Sequence, residues 1–177
     1  MIRGEKIGLR ARHEADVPVL HEELHNDVET RSRADTRPWR PLGVEDSPFA
    51  IRDPDDLTAA DFSIVDLASG DLAGAAVLWG IDLHSRSAHI GMTLLPAFRG
   101  RSLSTDVVRT LCHYGFVTRG LNRIALETLT DNIAMRTAAD RVGFTHEGTL
   151  RNSFYANGTF HNDELYGLLS QEWHPHP

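Results

Sequence analysis

The spacing of apolar residues along this chain switches repeatedly between the two-residue period of a β-strand and the three-to-four-residue period of a helix. Ile7 and Leu9 fit the strand period, whereas Val17, Leu20 and Leu24 recur at helical spacing. The predicted elements are, in order, a strand at 6–12, a helix at 13–28, strands at 62–67, 72–83 and 87–95, a helix at 101–119, a strand at 123–130, a helix at 133–142, and strands at 145–154 and 159–169. This order predicts a mixed α/β sheet with helices on its faces.

Length, charge and cysteine content narrow the class of protein. A chain of 177 residues predicts one domain over residues 1–177. No apolar run approaches the roughly 20 residues of a membrane span, and no signal peptide is recognisable, so neither a membrane nor secretion is expected. The single cysteine, Cys112, rules out an internal disulfide and favours the cytoplasm. The net charge of −7 argues against nucleic acid and favours cationic partners such as amines.

A short basic turn joins the apolar strand at 87–95 to the long helix that follows it. It contains Arg99, Gly100, Arg101, Ser102 and Ser104. A helix start exposes backbone N–H groups and the positive end of the helix dipole, and arginine forks match phosphate oxygens. These features indicate a phosphate-binding turn. The alternative is a solvated loop with two ordinary arginines and a serine that caps the helix.

Four ordered blocks of sequence, covering nearly the whole chain, resemble one family. The blocks are Arg3-Gly4-Glu5-Lys6-Ile7-Gly8-Leu9-Arg10, then Leu95-Pro96-Ala97-Phe98-Arg99-Gly100-Arg101, then the helix that opens at Asn132 and ends at Gly143-Phe144, and last Glu147-Gly148-Thr149-Leu150-Arg151 with Leu165-Tyr166-Gly167-Leu168-Leu169. They are similar to the GCN5-related N-acetyltransferase (GNAT) superfamily, of the ribosomal-protein N-acetyltransferase (RimJ/RimL) type. The resemblance implies a mixed, mostly antiparallel central sheet of about seven strands with helices on both faces.

The resemblance also implies a reaction and a cosubstrate. Acetyl-CoA would donate its acetyl group to a primary amine, either a protein N-terminus or a small molecule, and a backbone N–H near Met92 to Leu94 would polarise the thioester carbonyl. Neither the amine nor the oligomeric state, including a homodimer, can be read from the sequence. The candidate cofactor residues are Met92, Leu94, Arg99, Gly100, Arg101, Ser102, Leu103, Ser104, Asn132 and Arg136. The alternatives are a helix cap for Asn132 and a solvated helix arginine for Arg136.

Three departures from the family pattern bear on activity. Ser102 and Ser104 stand where the family usually has glycine, and then glycine or alanine, close to the pyrophosphate. A tyrosine that many relatives use as an acid is replaced by Ala139. These changes leave open a second interpretation, a CoA-binding protein of the same fold with little or no turnover.

The base that would take the amine proton is the third departure. Many relatives have a glutamate in the middle strand where this chain has His89, and a neutral imidazole can accept a proton near pH 7. Glu127 on the next strand is a second candidate. The alternative for His89 is a half-buried histidine with a structural hydrogen bond. The alternative for Glu127 is an outward-facing charge.

A rival function comes from His21-Glu22-Glu23-Leu24-His25, which matches the zinc-protease pattern His-Glu-x-x-His. We expect no metal there for three reasons. Ten histidines raise the odds of an accidental match. The apolar spacing commits the helix to a core and places both histidines on its flank. No later helix offers an obvious third ligand.

Overall fold

The computed structural model describes residues 1–174, and its strands join into one eight-stranded sheet. The strands are β1 (Ile2–Arg3), β2 (Ile7–Arg10), β3 (Ala59–Asp66), β4 (Leu72–Asp82), β5 (Ser87–Leu94), β6 (Arg123–Leu129), β7 (Thr145–Ala156) and β8 (Thr159–Leu169). The helices are α1 (Asp16–Leu20), α2 (Val28–Ser32), α3 (Ser104–His113) and α4 (Ile133–Val142), and π-helical turns at His21–His25 and Tyr114–Thr118 extend α1 and α3.

The strands lie side by side in the order β1-β2-β3-β4-β5-β6-β8-β7. Neighbouring strands are antiparallel except β5 and β6, which are parallel. The mixed, mostly antiparallel sheet is therefore confirmed, with one strand more than expected. The additional strand is β1, whose two residues are too few to show a period in the sequence.

Helices cover both faces of the sheet, as expected. Two successive residues of β3 show this, because neighbouring side chains of a strand point to opposite faces. The Ser63 hydroxyl donates a 2.7 Å hydrogen bond to Asp16 at the start of α1. The Phe62 ring packs edge-on against Tyr114, which follows α3, with 5.1 Å between centroids. We call these the α1 face and the α3 face.

A buried carboxylate ties the first turn of α3 to the N-terminal strands. Asp106 accepts hydrogen bonds from the backbone N–H groups of Glu5, Lys6 and Ile7, at 3.1, 2.7 and 3.0 Å. Gly4 beside it has no room for a side chain, because a Cβ there would lie 2.7 Å from both carboxylate oxygens. The position of α3 is therefore fixed from its first turn onward.

The predicted helix at 13–28 is wrong in its bounds. The observed helix begins at Asp16, widens into the π-helical turn His21–His25, and stops before Asp27. Asp27 leaves the helical conformation and accepts a 3.1 Å hydrogen bond from the Thr30 N–H, so it caps the separate helix α2. Val28, which continues the helical spacing of Val17, Leu20 and Leu24, opens this second helix and is exposed.

The predicted helix at 101–119 starts three residues later than its apolar pattern suggests. Ser102 has a φ of +57°, in the left-handed region that ends or precludes a right-handed helix. The α-helix therefore begins at Ser104, and no side chain caps its first turn. The serine cap of the alternative interpretation, a solvated loop, is therefore not found among residues 1–174.

An ion pair holds α1 to the sheet. The guanidinium of Arg10 on β2 donates two hydrogen bonds, of 2.6 and 2.9 Å, to the largely buried carboxylate of Asp16. Burial alone would raise the pKa of Asp16, but the hydrogen bonds from Arg10, the His13 N–H and the Ser63 hydroxyl outweigh it and lower that pKa. The ionised carboxylate therefore stabilises the fold.

We expect Asp16→Asn to lower the free energy of unfolding by about 3 kcal/mol at pH 7, because it leaves a partly buried arginine without its counter-charge. A group whose pKa is lowered by folding contributes stability above its ordinary pKa and loses it as the pH falls below that value. The difference between the variant and the wild type should therefore shrink below about pH 4. Urea unfolding across pH measures this. Glu5→Gln, at an exposed pair with Arg109, is the control and should change little. Equal stability of Asp16→Asn and wild type at pH 7 would contradict the assignment.

Candidate active site

The two parallel strands in the middle of the sheet pair for only three residues. Ser87, Ala88 and His89 of β5 lie opposite Arg123, Ile124 and Ala125 of β6, and the pairing then ends. Beyond this point β5 stays paired with β4, and β6 stays paired with β8. A gap therefore opens between the second halves of β5 and β6.

The two candidate bases meet where the gap begins. His89 is the last residue of β5 that pairs with β6. Its Nδ1 lies 3.4 Å from Oε1 of Glu127. The imidazole stacks on Trp79 of β4, with 4.4 Å between ring centroids. The Nδ1 atom is buried and makes no hydrogen bond within the described residues. Sequence spacing did not predict that His89 and Glu127 would be in contact.

A cavity of about 190 Å³ lies at the same place. His89 and Glu127 line it together with Tyr166 of β8. It also contains the ion pair between Arg123 and Glu147, which joins β6 to β7. The remaining lining residues are Ser87, Ala88, Ala125, Leu126 and Leu165.

The segment of β5 that borders the gap contains both residues implicated in polarising a thioester. Met92 lies opposite Ala76 of β4 and is half-buried, and Leu94 lies opposite Gly74 and is buried. Neither is paired with β6. Backbone groups of this segment that point away from β4 therefore face the gap.

The basic turn follows this segment directly. The Arg99 Nε donates a 3.1 Å hydrogen bond to the Leu94 carbonyl, while the Arg101 guanidinium lies 4.8 Å from the centre of the Phe98 ring. Both arginines are exposed, and Arg101 has only a 4.0 Å contact with Asp66 as an ion pair. The structure therefore places two cations beside the start of α3.

The backbone of this turn is curled twice into the left-handed region. Gly100 has a φ of +75° and Ser102 a φ of +57°. Leu103 is buried and precedes Ser104, the first helical residue. With no side chain capping α3, the first N–H groups of the helix stay available to an anion.

Asn132 caps α4, as its position before a helix predicts. Its Oδ1 accepts a 3.2 Å hydrogen bond from the Met135 N–H, and its Nδ2 donates a 3.0 Å hydrogen bond to the Thr128 hydroxyl. Arg136, one turn later, donates a 2.8 Å hydrogen bond to the Thr130 carbonyl. These contacts with Thr128 and Thr130 are not visible in the sequence pattern.

The candidate residues fall on opposite faces of the sheet. Alternation along β6 places Glu127, with His89, on the α1 face and Thr128 on the α3 face. Arg136 also lies on the α3 face, where its Nε is 3.4 Å from the hydroxyl of Tyr166. The candidate cofactor residues and the candidate bases therefore approach the gap from different sides.

The two histidines of the zinc-protease pattern are buried, not on the helix flank as predicted. His21 and His25 are each 3% exposed, and their rings lie 4.8 Å apart. The Nε2 of His25 is 3.1 Å from the Arg40 carbonyl, and Trp39 stacks on the same ring. Residues 1–174 contain no group of three or more His, Cys, Asp or Glu side chains that could hold a metal ion.

Comparison with known proteins gives a consistent set of relatives. YdaF, a putative ribosomal N-acetyltransferase of Bacillus subtilis (strain 168), is 36% identical over 107 residues, which cover 60% of this chain and 58% of that protein. Spermidine N(1)-acetyltransferase of Escherichia coli (strain K12) is 28% identical over 93 residues, which cover 52% of this chain and 50% of that protein. Each match thus spans less than two thirds of the relative's length.

The fold has a close counterpart among solved structures. Spermidine N-acetyltransferase from Vibrio cholerae, in complex with CoA and spermine, superposes with a TM-score of 0.85 at 21% identity, over 95% of this chain and 98% of that one. No helix within residues 1–174 is long and apolar enough to cross a membrane. In a comparison of sequences, the family model of the acetyltransferase (GNAT) domain matches residues 6–145. Because that match covers most of the chain and the fold agrees with it, the chain belongs to the GNAT acetyltransferase family.

Proposed function

We propose that residues 1–177 act as one cytoplasmic domain that transfers the acetyl group of acetyl-CoA to a primary amine. The observation that carries this proposal is the gap between β5 and β6, with cations and free helix N–H groups near one side and an imidazole–carboxylate pair on the other. Such a gap lets a cofactor and an acceptor enter from opposite faces and meet at unpaired backbone.

The cofactor would lie along the α3 face. Arg99 and Arg101, with the N–H groups from Ser102 to Ser104, would bind the pyrophosphate. Within residues 1–174 the Asn132 amide donates one hydrogen bond, to the Thr128 hydroxyl, so its second N–H would bind the pantetheine arm. Gly100 and Ser102 supply the curl of the turn, the buried Leu103 leads it into α3, and Arg136 is a further phosphate partner on the same face.

The reaction follows from the groups at the gap. The neutral amine attacks the thioester carbonyl carbon while a backbone N–H between Met92 and Leu94 stabilises the developing oxyanion. The amine proton passes to His89, and Glu127 stabilises the resulting imidazolium at 3.4 Å. The C–S bond breaks, the CoA thiolate takes a proton from water, and the hydroxide that remains takes the proton from His89 and restores the neutral imidazole. No metal takes part in these steps.

The acceptor is proposed as a primary amine, on a protein N-terminus or a small molecule. The relatives named for ribosomal-protein and spermidine acetylation support both classes. The net charge of −7 favours a cationic acceptor through long-range attraction. A homodimer is also proposed, since β7 pairs only with β8 within the described residues and leaves a 12-residue edge open.

A second candidate function is CoA binding with little or no turnover. It is favoured by one observation, that Ser102 is not glycine yet has a φ of +57° in the cofactor turn. A side chain at this position costs backbone energy and brings bulk close to the pyrophosphate.

Acetyl-CoA should stabilise the fold by about 2.7 kcal/mol at 100 times its dissociation constant, because it binds only the native state. Thermal melts with and without millimolar acetyl-CoA measure this. Arg99→Ala should weaken the effect and raise the KM for acetyl-CoA about tenfold or more, through loss of a charge-assisted hydrogen bond. The exposed Arg37→Ala is the control. A melt unmoved by both acetyl-CoA and CoA would refute cofactor binding.

His89→Ala should lower kcat by roughly a hundredfold while leaving the affinity for acetyl-CoA near normal, because the base acts only during attack. The wild-type rate should rise with pH through the range in which imidazoles lose their proton, and the variant should lack that limb. Free CoA release across an amine panel measures both. Full turnover with an unchanged pH profile in His89→Ala would make His89 structural and leave Glu127 or water as the base.

Ser102→Gly should raise the free energy of unfolding by about 1 kcal/mol and tighten CoA binding, since glycine adopts a positive φ without steric cost. Ser104→Gly is the matched control, because Ser104 is helical and gains nothing from glycine. Urea unfolding and calorimetric CoA titration of both variants decide the point. A Ser102→Gly protein that binds CoA tightly but still does not turn over any amine would favour the binding-protein alternative.

A further inference from the structure

A buried carboxylate outside the candidate site collects three hydrogen bonds on the α3 face. Glu164 of β8 is 5% exposed and lies opposite Thr149 of β7. It accepts hydrogen bonds from the Thr130 hydroxyl at 2.7 Å, the Thr149 hydroxyl at 2.7 Å, and Nε2 of His146 at 2.6 Å. The three donors come from the end of β6 and from β7, so this one side chain links three segments.

Glu164 is held in its ionised form by these donors. The hydrogen bonds from Thr130, Thr149 and His146 lower its pKa to about 2. Its ion-pair partner within the described residues is His146, and no arginine or lysine there lies within ion-pair distance. A buried carboxylate is costly unless its acceptors are filled, so this network needs the geometry of all three donors.

The hydrogen bond to Thr130 reaches beyond the sheet. Thr130 is the first residue after β6 and opens the turn to α4. Its N–H donates to the Asn162 carbonyl at 3.1 Å, and its carbonyl accepts the 2.8 Å hydrogen bond from Arg136. Thr130 is therefore hydrogen-bonded to both Glu164 and Arg136. Thr130 also lies two residues before Asn132.

We propose that Glu164 is a positioning residue for the cofactor site, which fixes the turn from Thr130 to Asn132 and thereby sets Asn132 and Arg136 for acetyl-CoA. The proposal rests on the proposed function, because Asn132 and Arg136 matter here only if acetyl-CoA binds beside them. Glu164 itself touches neither substrate nor the reacting atoms. Its effect should therefore appear in cofactor binding and not in the chemical step.

Two pairs of variants test this. Glu164→Met keeps the volume but removes every acceptor, whereas Glu164→Gln keeps one acceptor oxygen. Thr130→Val removes the hydroxyl, whereas Thr130→Ser keeps it. We expect Glu164→Met and Thr130→Val to raise the KM for acetyl-CoA about tenfold, with kcat and the KM for the amine within about twofold of wild type. Thr130→Ser and Glu164→Gln should recover part of the loss. Glu5→Gln, at a surface pair on β2's side of the sheet, should behave as wild type.

The coupling between the two residues is the sharper readout. If Glu164 acts through Thr130, the double variant should bind CoA about as weakly as Glu164→Met alone. Calorimetric CoA titration of the folded variants measures it without turnover. Unchanged CoA affinity in both Glu164→Met and Thr130→Val, beside normal binding by wild type, would overturn the positioning role alone. Failure of wild type to bind CoA would overturn the proposed function and this role with it. Should Glu164→Met not fold, equal affinities of Thr130→Val and Thr130→Ser would still overturn the proposal.

Discussion

The gap between β5 and β6 is the constraint on which the rest of the site depends. Each of the two strands is held along its outer side by an antiparallel partner, β5 by β4 as far as Leu94 and β6 by β8 as far as Leu129. Their inner sides meet only as far as His89 and Ala125. Backbone N–H and C=O groups that face the gap need partners, and a ligand lying between the strands can supply them. We propose that the cofactor site forms where these two strands cease to pair.

Buried carboxylates hold the elements around that gap. Asp106 fixes α3 to the N-terminal turn, Asp16 fixes α1 to β2 and β3, and Glu164 joins β7 and β8 to the turn before α4. Each accepts at least three hydrogen bonds, so the cost of burying its charge is offset only in one arrangement of its neighbours. The basic turn leads into α3, which Asp106 anchors, and Asn132 follows the turn that Glu164 holds through Thr130. These hydrogen bonds fix the relative positions of the elements on the two sides of the gap.

Much of the fold could be predicted from the sequence, because strand and helix periods are local properties. The helix Ile133–Val142 matches its predicted bounds, and its end at Gly143 agrees with a φ of +101° there. The π-helical turn at His21–His25 and the late start of α3 could not be read, since wider turns and a left-handed serine leave the apolar spacing almost unchanged. The family resemblance indicates His89, and Glu127 is a second candidate because it lies on the next strand. Their contact depends on strand register, which no local pattern contains.

The burial of His21 and His25 also shows that sequence spacing alone does not define the surroundings of a side chain. Their spacing matches a metal-binding motif, yet both rings are buried, lie 4.8 Å apart, and that of His25 stacks on Trp39. The Glu164 network is equally invisible in sequence, because its three donors lie 15 to 34 positions before Glu164 in the chain. Polar contacts between distant segments are set by the fold and can be found only once the strands are paired.

Hydrogen–deuterium exchange with and without acetyl-CoA tests the central claim most directly, because it reports where the cofactor lies without requiring turnover. We expect acetyl-CoA to slow exchange at residues 90–94, in the turn and first helical residues 99–107, and at 130–136, while the edge strand β7 stays unchanged. Protection confined to other segments, or no protection at saturating acetyl-CoA, would contradict a cofactor site in the gap between β5 and β6.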